Sequence, residues 1–111
     1  MWEVKAIIRH ERLDDVIQAL HELPGLPGVT VSQVLGYGRR QSTDPHAPVE
    51  YGQVAMVKLE MVVPHGLADA VVETVRRSGT TGRAGDGKIF VSAVTRAVRV
   101  RNGDEGASAL P

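Results

Sequence analysis

A glycine-rich loop with two cations precedes the last apolar run of the chain. The segment TGRAGDGKIF, residues 81–90, holds three glycines together with Arg83 and Lys88. Successive backbone amides in a glycine turn form a concave surface that binds anions, and an ammonium at its end suits phosphate. Gly-Asp-Gly before a strand is also an ordinary tight-turn sequence, which is the simpler interpretation of these residues alone. The loop therefore predicts either a turn or an anion site.

Two further pairs of arginines could complete such an anion site. Arg99 and Arg101 are two residues apart, so they lie on one side of an extended chain. Arg39 and Arg40 follow a glycine pair in the sequence GYG. A polyphosphate site would need all three clusters to converge, and one subunit need not bring them together.

The sequence holds no convincing catalytic or metal-binding set. The four histidines, at positions 10, 21, 46 and 65, lack the short spacing of a metal site. There is no cysteine, which removes disulfides, zinc ribbons and thiol catalysis. Ser32 and Ser42 have no evident histidine base. We therefore expect neither catalytic residues nor metal ligands.

Length and charge limit the classes of protein. The 111 residues are 42% hydrophobic and 23% charged, which fits a single domain over 1–111. A formal net charge of zero leaves no overall field to attract nucleic acid. No apolar run approaches the roughly 20 residues that span a bilayer, and the start MWEVKAIIRH lacks a signal-peptide core. We expect a cytoplasmic protein that is not inserted in a membrane.

Hydrophobic periodicity predicts the elements that must position these residues. Period two indicates strands, and apolar residues at spacings of three and four indicate amphipathic helices. The pattern predicts strands over residues 2–9, 29–38, 53–63 and from 88 toward 101, with helices over 11–23 and about 64–79.

This order of elements predicts an α+β, ferredoxin-like split βαβ sandwich, βαββαβ, with both helices on one face of the sheet. The other face would be covered by self-association. Residues 39–53 contain two prolines and no regular period, so we predict a long mobile arm between strands 2 and 3. Residues 102–111 are small and polar, which predicts a flexible tail.

With the elements placed, the sequence resembles the PII signal-transduction, or nitrogen regulatory, family. TGRAGDGKIFVSAV matches the family's C-terminal signature throughout: a Ser or Thr, three free positions, Gly-Asp-Gly-Lys, Ile, an aromatic, an aliphatic, two free positions and a last aliphatic. The resemblance continues through VKAIIRHERLDDVIQAL, GVTVSQVLGYGRR, VKLEMVVP and AVRVRNGDEGASAL. It implies a homotrimer that binds ATP or ADP in clefts between subunits and regulates a transporter or enzyme through the long loop.

Carried onto matching positions, the resemblance implies a set of nucleotide-binding residues. Those near the phosphates would be Gly38, Arg39, Gly85, Asp86, Gly87, Lys88, Arg99 and Arg101. Those around the adenine would be Ile7, Gly28, Thr30, Gly36 and Val62. Glu60 shares a strand face with Lys58, and from that parity we predict that it pairs with Lys88 when phosphate is absent. The partner-binding loop would include Arg40, Gln41, Glu50 and Tyr51.

Three departures from the family pattern affect its second effector and its modification. Arg40 stands where relatives that sense 2-oxoglutarate carry a magnesium-binding glutamine, and Met56 stands where they carry a lysine. A cation disfavours Mg²⁺, and the lost ammonium removes the partner of a carboxylate. The uridylylation motif survives only as Glu50-Tyr51. We therefore expect neither 2-oxoglutarate sensing nor modification of Tyr51, and Mg²⁺ stays open.

Other functions remain as alternatives. A divergent member of the family could regulate heavy-metal efflux or bicarbonate transport instead of nitrogen metabolism. A metal-tolerance trimer has the same topology, although it would not need the Gly-Asp-Gly-Lys loop. An RNA-binding module also shares this strand order, but Tyr37, Tyr51 and Phe90 do not form the two stacking motifs that it requires.

Overall fold

The computed structural model describes residues 1–40 and 44–111, and it contains one antiparallel sheet with two helices. The strands are β1 (Trp2–Arg9), β2 (Thr30–Arg40), β3 (Glu50–Val63) and β4 (Gly87–Ala93), in the order β2-β3-β1-β4. The helices are α1 (Leu13–His21) and α2 (Ala68–Gly79). Short 3-10 turns cover His10–Arg12, His65–Leu67 and Gly106–Ala109. The predicted α+β ferredoxin-like fold is confirmed.

The core lies between the helices and one face of the sheet. Alternation along β1 buries Val4, Ala6 and Ile8 and leaves the residues between them partly exposed. The buried residues of the helices pack against this face, and the set comprises Val16, Leu20, Ala68, Val71 and Val75. This alternation of buried and exposed positions follows from the period of two along a strand.

The opposite face of the sheet carries charged and apolar residues that no helix covers. Ile7 pairs in register with both Lys58 and Lys88, which places these three side chains in one row across β3, β1 and β4. Phe90, two residues further along β4, is 53% exposed. This open face would be covered by other copies in the predicted trimer.

Both ends of the predicted long loop, residues 39–40 and 50–53, belong to paired strands. Strands β2 and β3 stay paired as far as Arg40 and Glu50. We call the paired residues 36–40 and 50–54 the ribbon. Solvent surrounds much of the ribbon, so it needs no apolar alternation, and backbone hydrogen bonds alone hold the pair in register. Residues 41–43, which include the predicted partner residue Gln41, lie outside the described residues.

The chain beyond β4 folds back on itself, where the sequence predicted first a longer strand and then a flexible tail. Strand β4 ends at Ala93, and Val98 forms an isolated bridge with Glu105. Positive φ angles at Gly103 and Gly106 allow the turn. Arg99 then donates from Nη2 to the carbonyl oxygens of Ser108 and Pro111, at 2.7 and 2.9 Å. A short helical turn and these bonds therefore place the end of the chain beside Arg99.

The single tryptophan lies at the end of the sheet away from the ribbon. Trp2 donates a hydrogen bond from Nε1 to Nδ1 of His65, and the two ring centroids are 5.6 Å apart. Trp2 pairs in register with Val63 and Ala93. The bond joins the start of β1 to the turn before α2.

Candidate functional site

Two glycines of the loop have backbone conformations that residues with a side chain rarely adopt. Gly85 and Gly87 have φ angles of +88° and +107°, in the region that favours glycine. A Cβ atom at Gly87 would lie 1.7 Å from the carbonyl oxygen of Ile7, so the start of β4 has no room for a side chain at this position. The loop therefore enters β4 in direct contact with the backbone of β1.

Asp86 holds the loop together from within. Its carboxylate accepts hydrogen bonds from the backbone amides of Thr81 and Gly82, at 2.7 and 3.0 Å. The hydroxyls of Thr81 and Thr80 also donate to it. The Thr81 hydroxyl, then the Thr81 amide and the Arg9 guanidinium, hold the pKa of Asp86 well below its usual value. The predicted nucleotide residue Asp86 therefore shapes the loop through bonds to its own chain.

Arg9, which the sequence analysis did not select, ties this loop to β1. Its Nε donates to the Asp86 carboxylate at 2.9 Å, and its Nη2 donates to the carbonyl oxygen of Ala84 at 2.7 Å. The Arg9 side chain is only 17% exposed. Alternation along β1 does place Arg9 on the open face, but no sequence spacing reveals a pairing across 77 positions.

A cavity of about 390 Å³ opens between the glycine loop and the base of the ribbon. Seven of the sequence-predicted nucleotide residues line it: Ile7, Gly36, Gly38, Gly85, Asp86, Gly87 and Lys88. Tyr37, Val54, Met56 and Phe90 complete its wall. Within the described part of the chain, Lys88 makes no ion pair, so its ammonium is available to an anion. The structure thus brings half of the predicted set together beside one unpaired cation.

The other predicted nucleotide residues lie elsewhere on the subunit. Thr30 and Glu60 are paired in register, Gly28 precedes β2 by two residues, and Val62 is two residues from Glu60 on β3. Thr30 is six residues from Gly36 on β2, which is about 20 Å of extended strand. Arg99 and Arg101 follow β4, and Arg39 is an exposed residue of the ribbon. One subunit therefore carries two separate parts of the predicted site.

The predicted contact between Glu60 and Lys88 is absent from this structure. Glu60 does share the open face with Lys58, as its strand parity requires, and its Oε1 lies 3.4 Å from Lys58 Nζ. The ion pair thus forms between neighbours on one strand face, since Lys88 lies across β1, two register positions away. Both side chains of the pair are about one-third exposed, so solvent screens it.

The backbone of the ribbon includes three of the four predicted partner-binding residues. Arg40 and Glu50 face each other in register at its last pair, and Tyr51 is paired with Arg39 one step earlier. The Tyr51 side chain is 64% exposed, like that of Tyr37. These aromatic residues therefore lie on the outside of the ribbon.

Residues 1–40 and 44–111 contain no group of three or more His, Asp or Glu side chains that could hold a metal ion. In the same ranges, neither α1 nor α2 has the length and apolar character needed to cross a membrane.

Comparison with known proteins identifies the family. The model for "Nitrogen regulatory protein P-II" matches residues 1–104. The chain is 40% identical to the nitrogen regulatory protein P-II of Rhodospirillum rubrum, and 42% identical to nitrogen regulatory protein P-II 1 of Escherichia coli K12. It is 39% identical to the P-II protein of Azospirillum brasilense. Each alignment spans 113 positions, with 99% of this chain and 100% of the relative.

These relatives are all named as regulatory proteins, so the chain is a signal-transduction regulator rather than an enzyme. It belongs to the nitrogen regulatory protein P-II family, as the resemblance in its C-terminal signature predicted.

Proposed function

We propose that the protein is a homotrimeric sensor of adenine nucleotides that acts in the cytoplasm and controls a transporter or enzyme in nitrogen regulation. ATP or ADP would bind in clefts between neighbouring subunits. The observation that carries this proposal is the division of the predicted site into two parts on one subunit. A neighbour that supplied the second part would complete the cleft.

The glycine-loop part suits phosphate. Backbone amides in a loop with positive φ angles can turn toward an anion, and Lys88 adds a full charge that no described residue neutralises. The apolar wall formed by Ile7, Val54 and Phe90 provides the low-polarity lining of a small-molecule pocket. This part would hold the phosphates, with the adenine against the apolar residues.

The second part must come from a neighbour. Thr30, Glu60 and Val62 lie along the open region of the sheet, and Arg101 is exposed after β4. Arg101 would bring a second cation to the phosphates if the open faces of three copies pack together. Within one subunit, Thr30 lies too far along β2 from Gly36 to line the same cavity.

Met56 bears on the second effector. This side chain lines the cavity and is 7% exposed, so a thioether occupies the place where 2-oxoglutarate-sensing relatives carry an ammonium. A thioether cannot neutralise a carboxylate. We infer that adenine nucleotides bind without 2-oxoglutarate, which leaves regulation of another transport system, such as metal efflux or bicarbonate uptake, as the second candidate function.

Calorimetric titration tests nucleotide binding. ATP, ADP and AMP are titrated with and without Mg²⁺ and 2-oxoglutarate, into wild type, Lys88→Ala and Arg77→Ala. Arg77 is exposed on α2, so its variant removes one positive charge away from the cavity. We expect wild type and Arg77→Ala to bind alike and Lys88→Ala to lose at least about tenfold in affinity. Absence of binding to wild type under every condition would refute the proposal.

Mixed trimers test where the cleft lies. Lys88→Ala and Arg101→Ala subunits are unfolded together and refolded as a mixture. If each cleft takes its loop from one subunit and its arginine from the next, about one quarter of the clefts in the mixture carry both wild-type residues. Binding with wild-type affinity at that fraction of sites supports the proposal. A mixture that binds no better than either parent places both residues in one subunit's site.

A further inference from the structure

We propose that Arg9 is the positioning residue of the glycine loop, which holds the loop in the conformation that receives phosphate. This inference rests on the proposed function, because it concerns the same cavity. It adds a residue from a different strand, β1, that does not line the cavity itself.

The first support is the pair of acceptors that the guanidinium holds. Arg9 reaches the Asp86 carboxylate through Nε and the Ala84 carbonyl oxygen through Nη2, at 2.9 and 2.7 Å. The two donors belong to one rigid plane, so they fix two points of the loop relative to each other as well as to β1. Low exposure of the side chain, 17%, limits competition from water.

The bond to Ala84 also orients the next amide. The carbonyl of Ala84 and the N–H of Gly85 belong to one planar trans peptide, so they point in opposite directions. When Arg9 draws the carbonyl toward β1, the Gly85 N–H turns away from the guanidinium. Gly85 lines the cavity, and a Cβ atom there would lie 3.3 Å from Arg9 Nη2. Arg9 and Gly85 therefore form one tightly packed unit.

Charge around Arg9 argues against a direct role in binding anions. Its guanidinium faces Asp86 on the loop and Glu11 after β1, at 2.9 and 3.9 Å. Glu11 also lies 3.6 Å from Arg83 of the loop. The carboxylates offset the positive charge of Arg9, whereas Lys88 has no such partner among the described residues. Lys88 would thus bind the phosphate, and Arg9 would hold the loop that presents it.

The experiment compares three variants with wild type. Arg9→Ala removes both bonds, and Arg9→Lys keeps the charge but loses the planar pair of donors. Arg12→Ala is the matched control, since Arg12 also donates to a backbone carbonyl, that of Ser78, at 3.1 and 2.6 Å, outside the cavity. Circular dichroism and size-exclusion chromatography establish that each variant is folded and has wild-type size.

The first readout is the affinity ratio between ATP and AMP. We expect Arg9→Ala to weaken ATP by at least about tenfold and AMP by much less, because the loop contacts phosphates. Arg9→Lys should behave like Arg9→Ala, and Arg12→Ala should keep the wild-type ratio. Wild-type ATP affinity in Arg9→Lys would show that the charge of Arg9, and not its planar pair of donors, is needed. Wild-type ATP affinity in Arg9→Ala would show that Arg9 does not position the loop.

The second readout does not depend on ligand. Amide hydrogen exchange over residues 84–88 is followed in the nucleotide-free proteins by mass spectrometry. We expect exchange in this segment to be at least about tenfold faster in Arg9→Ala and Arg9→Lys, with Arg12→Ala unchanged there. Unchanged exchange in both Arg9 variants overturns the inference even if wild type binds nucleotide. Faster exchange without nucleotide binding would refute only the proposed function.

Discussion

Both ends of the sheet carry predicted nucleotide residues, but the two ends hold them in different ways. Beside the ribbon, Arg9 and Asp86 bind the glycine loop through contacts within the same subunit. At the other end, Thr30 and Glu60 are held by the strand ladder, and their side chains face a surface that the subunit does not cover. A site that needs both ends would keep its phosphate loop ready before assembly and would receive its remaining groups from a neighbour.

The largest expected effect tests how firmly the ribbon end is built. Gly87→Ala places a Cβ atom 1.7 Å from the Ile7 carbonyl oxygen, and so must separate β4 from β1. We expect a loss of at least about 3 kcal/mol in the free energy of unfolding. Gly82→Ala is the control, because its φ of +78° also strains an alanine but nothing lies within 4 Å of the added Cβ atom, and it should cost about 1 kcal/mol. Equal losses in urea denaturation would contradict the close contact.

The second effect tests the other end. Arg101 is exposed, so Arg101→Ala should change the free energy of unfolding by less than about 0.5 kcal/mol. Its predicted contact with phosphate should nevertheless lower the ATP affinity by about tenfold or more. Calorimetry and urea denaturation of the same preparation measure both quantities. Loss of stability without loss of affinity would mean that Arg101 belongs to the fold and not to the cleft.

The third effect follows from the lowered pKa of Asp86. A carboxyl group with a lower pKa in the folded state stabilises it above its unfolded pKa of about 3.9, and that contribution is lost as pH falls through the folded value. We expect wild type to lose stability below about pH 4 more steeply than Asp86→Asn does. Denaturation midpoints between about pH 2 and pH 6 measure the difference. If the midpoints of wild type and Asp86→Asn changed with pH in parallel, Asp86 would not contribute to the loss of stability in acid.

The smallest effect concerns the pair on the open face. Glu60→Gln removes the ion pair with Lys58, which is worth at most about 0.5 kcal/mol at this exposure. If Glu60 helps to discriminate between nucleotides, the variant should also change the ratio of ATP to ADP affinity. Unchanged affinities for both nucleotides would remove Glu60 from the predicted site.

The sequence predicts regular elements well because their signals are local. The alternation in β1 and the spacing of Val16 and Leu20 in α1 are direct results of burial, and the structure confirms them. The pairing of β2 and β3 as far as Arg40 and Glu50 was not predicted, because a strand pair largely exposed to solvent needs no apolar pattern. The contacts of the tail could not be predicted, because its bonds to Arg99 use main-chain oxygens, which every residue possesses.

The candidate site was predictable to a different degree. Gly85, Gly87 and Lys88 follow one another in a motif, so the family signature is enough to select them. Arg9 could not be selected in this way, because its importance depends on which loop the fold brings to the end of β1. Pairings over long sequence separations are a property of the folded chain.

The position of Trp2 gives the protein a built-in optical probe. The indole lies seven residues from Arg9 along β1, or about 24 Å of extended strand. Within a subunit, this fluorescent group is therefore distant from the cavity. Its emission should therefore report unfolding at the end of the sheet opposite the cavity, where Trp2 is paired with Val63 and Ala93.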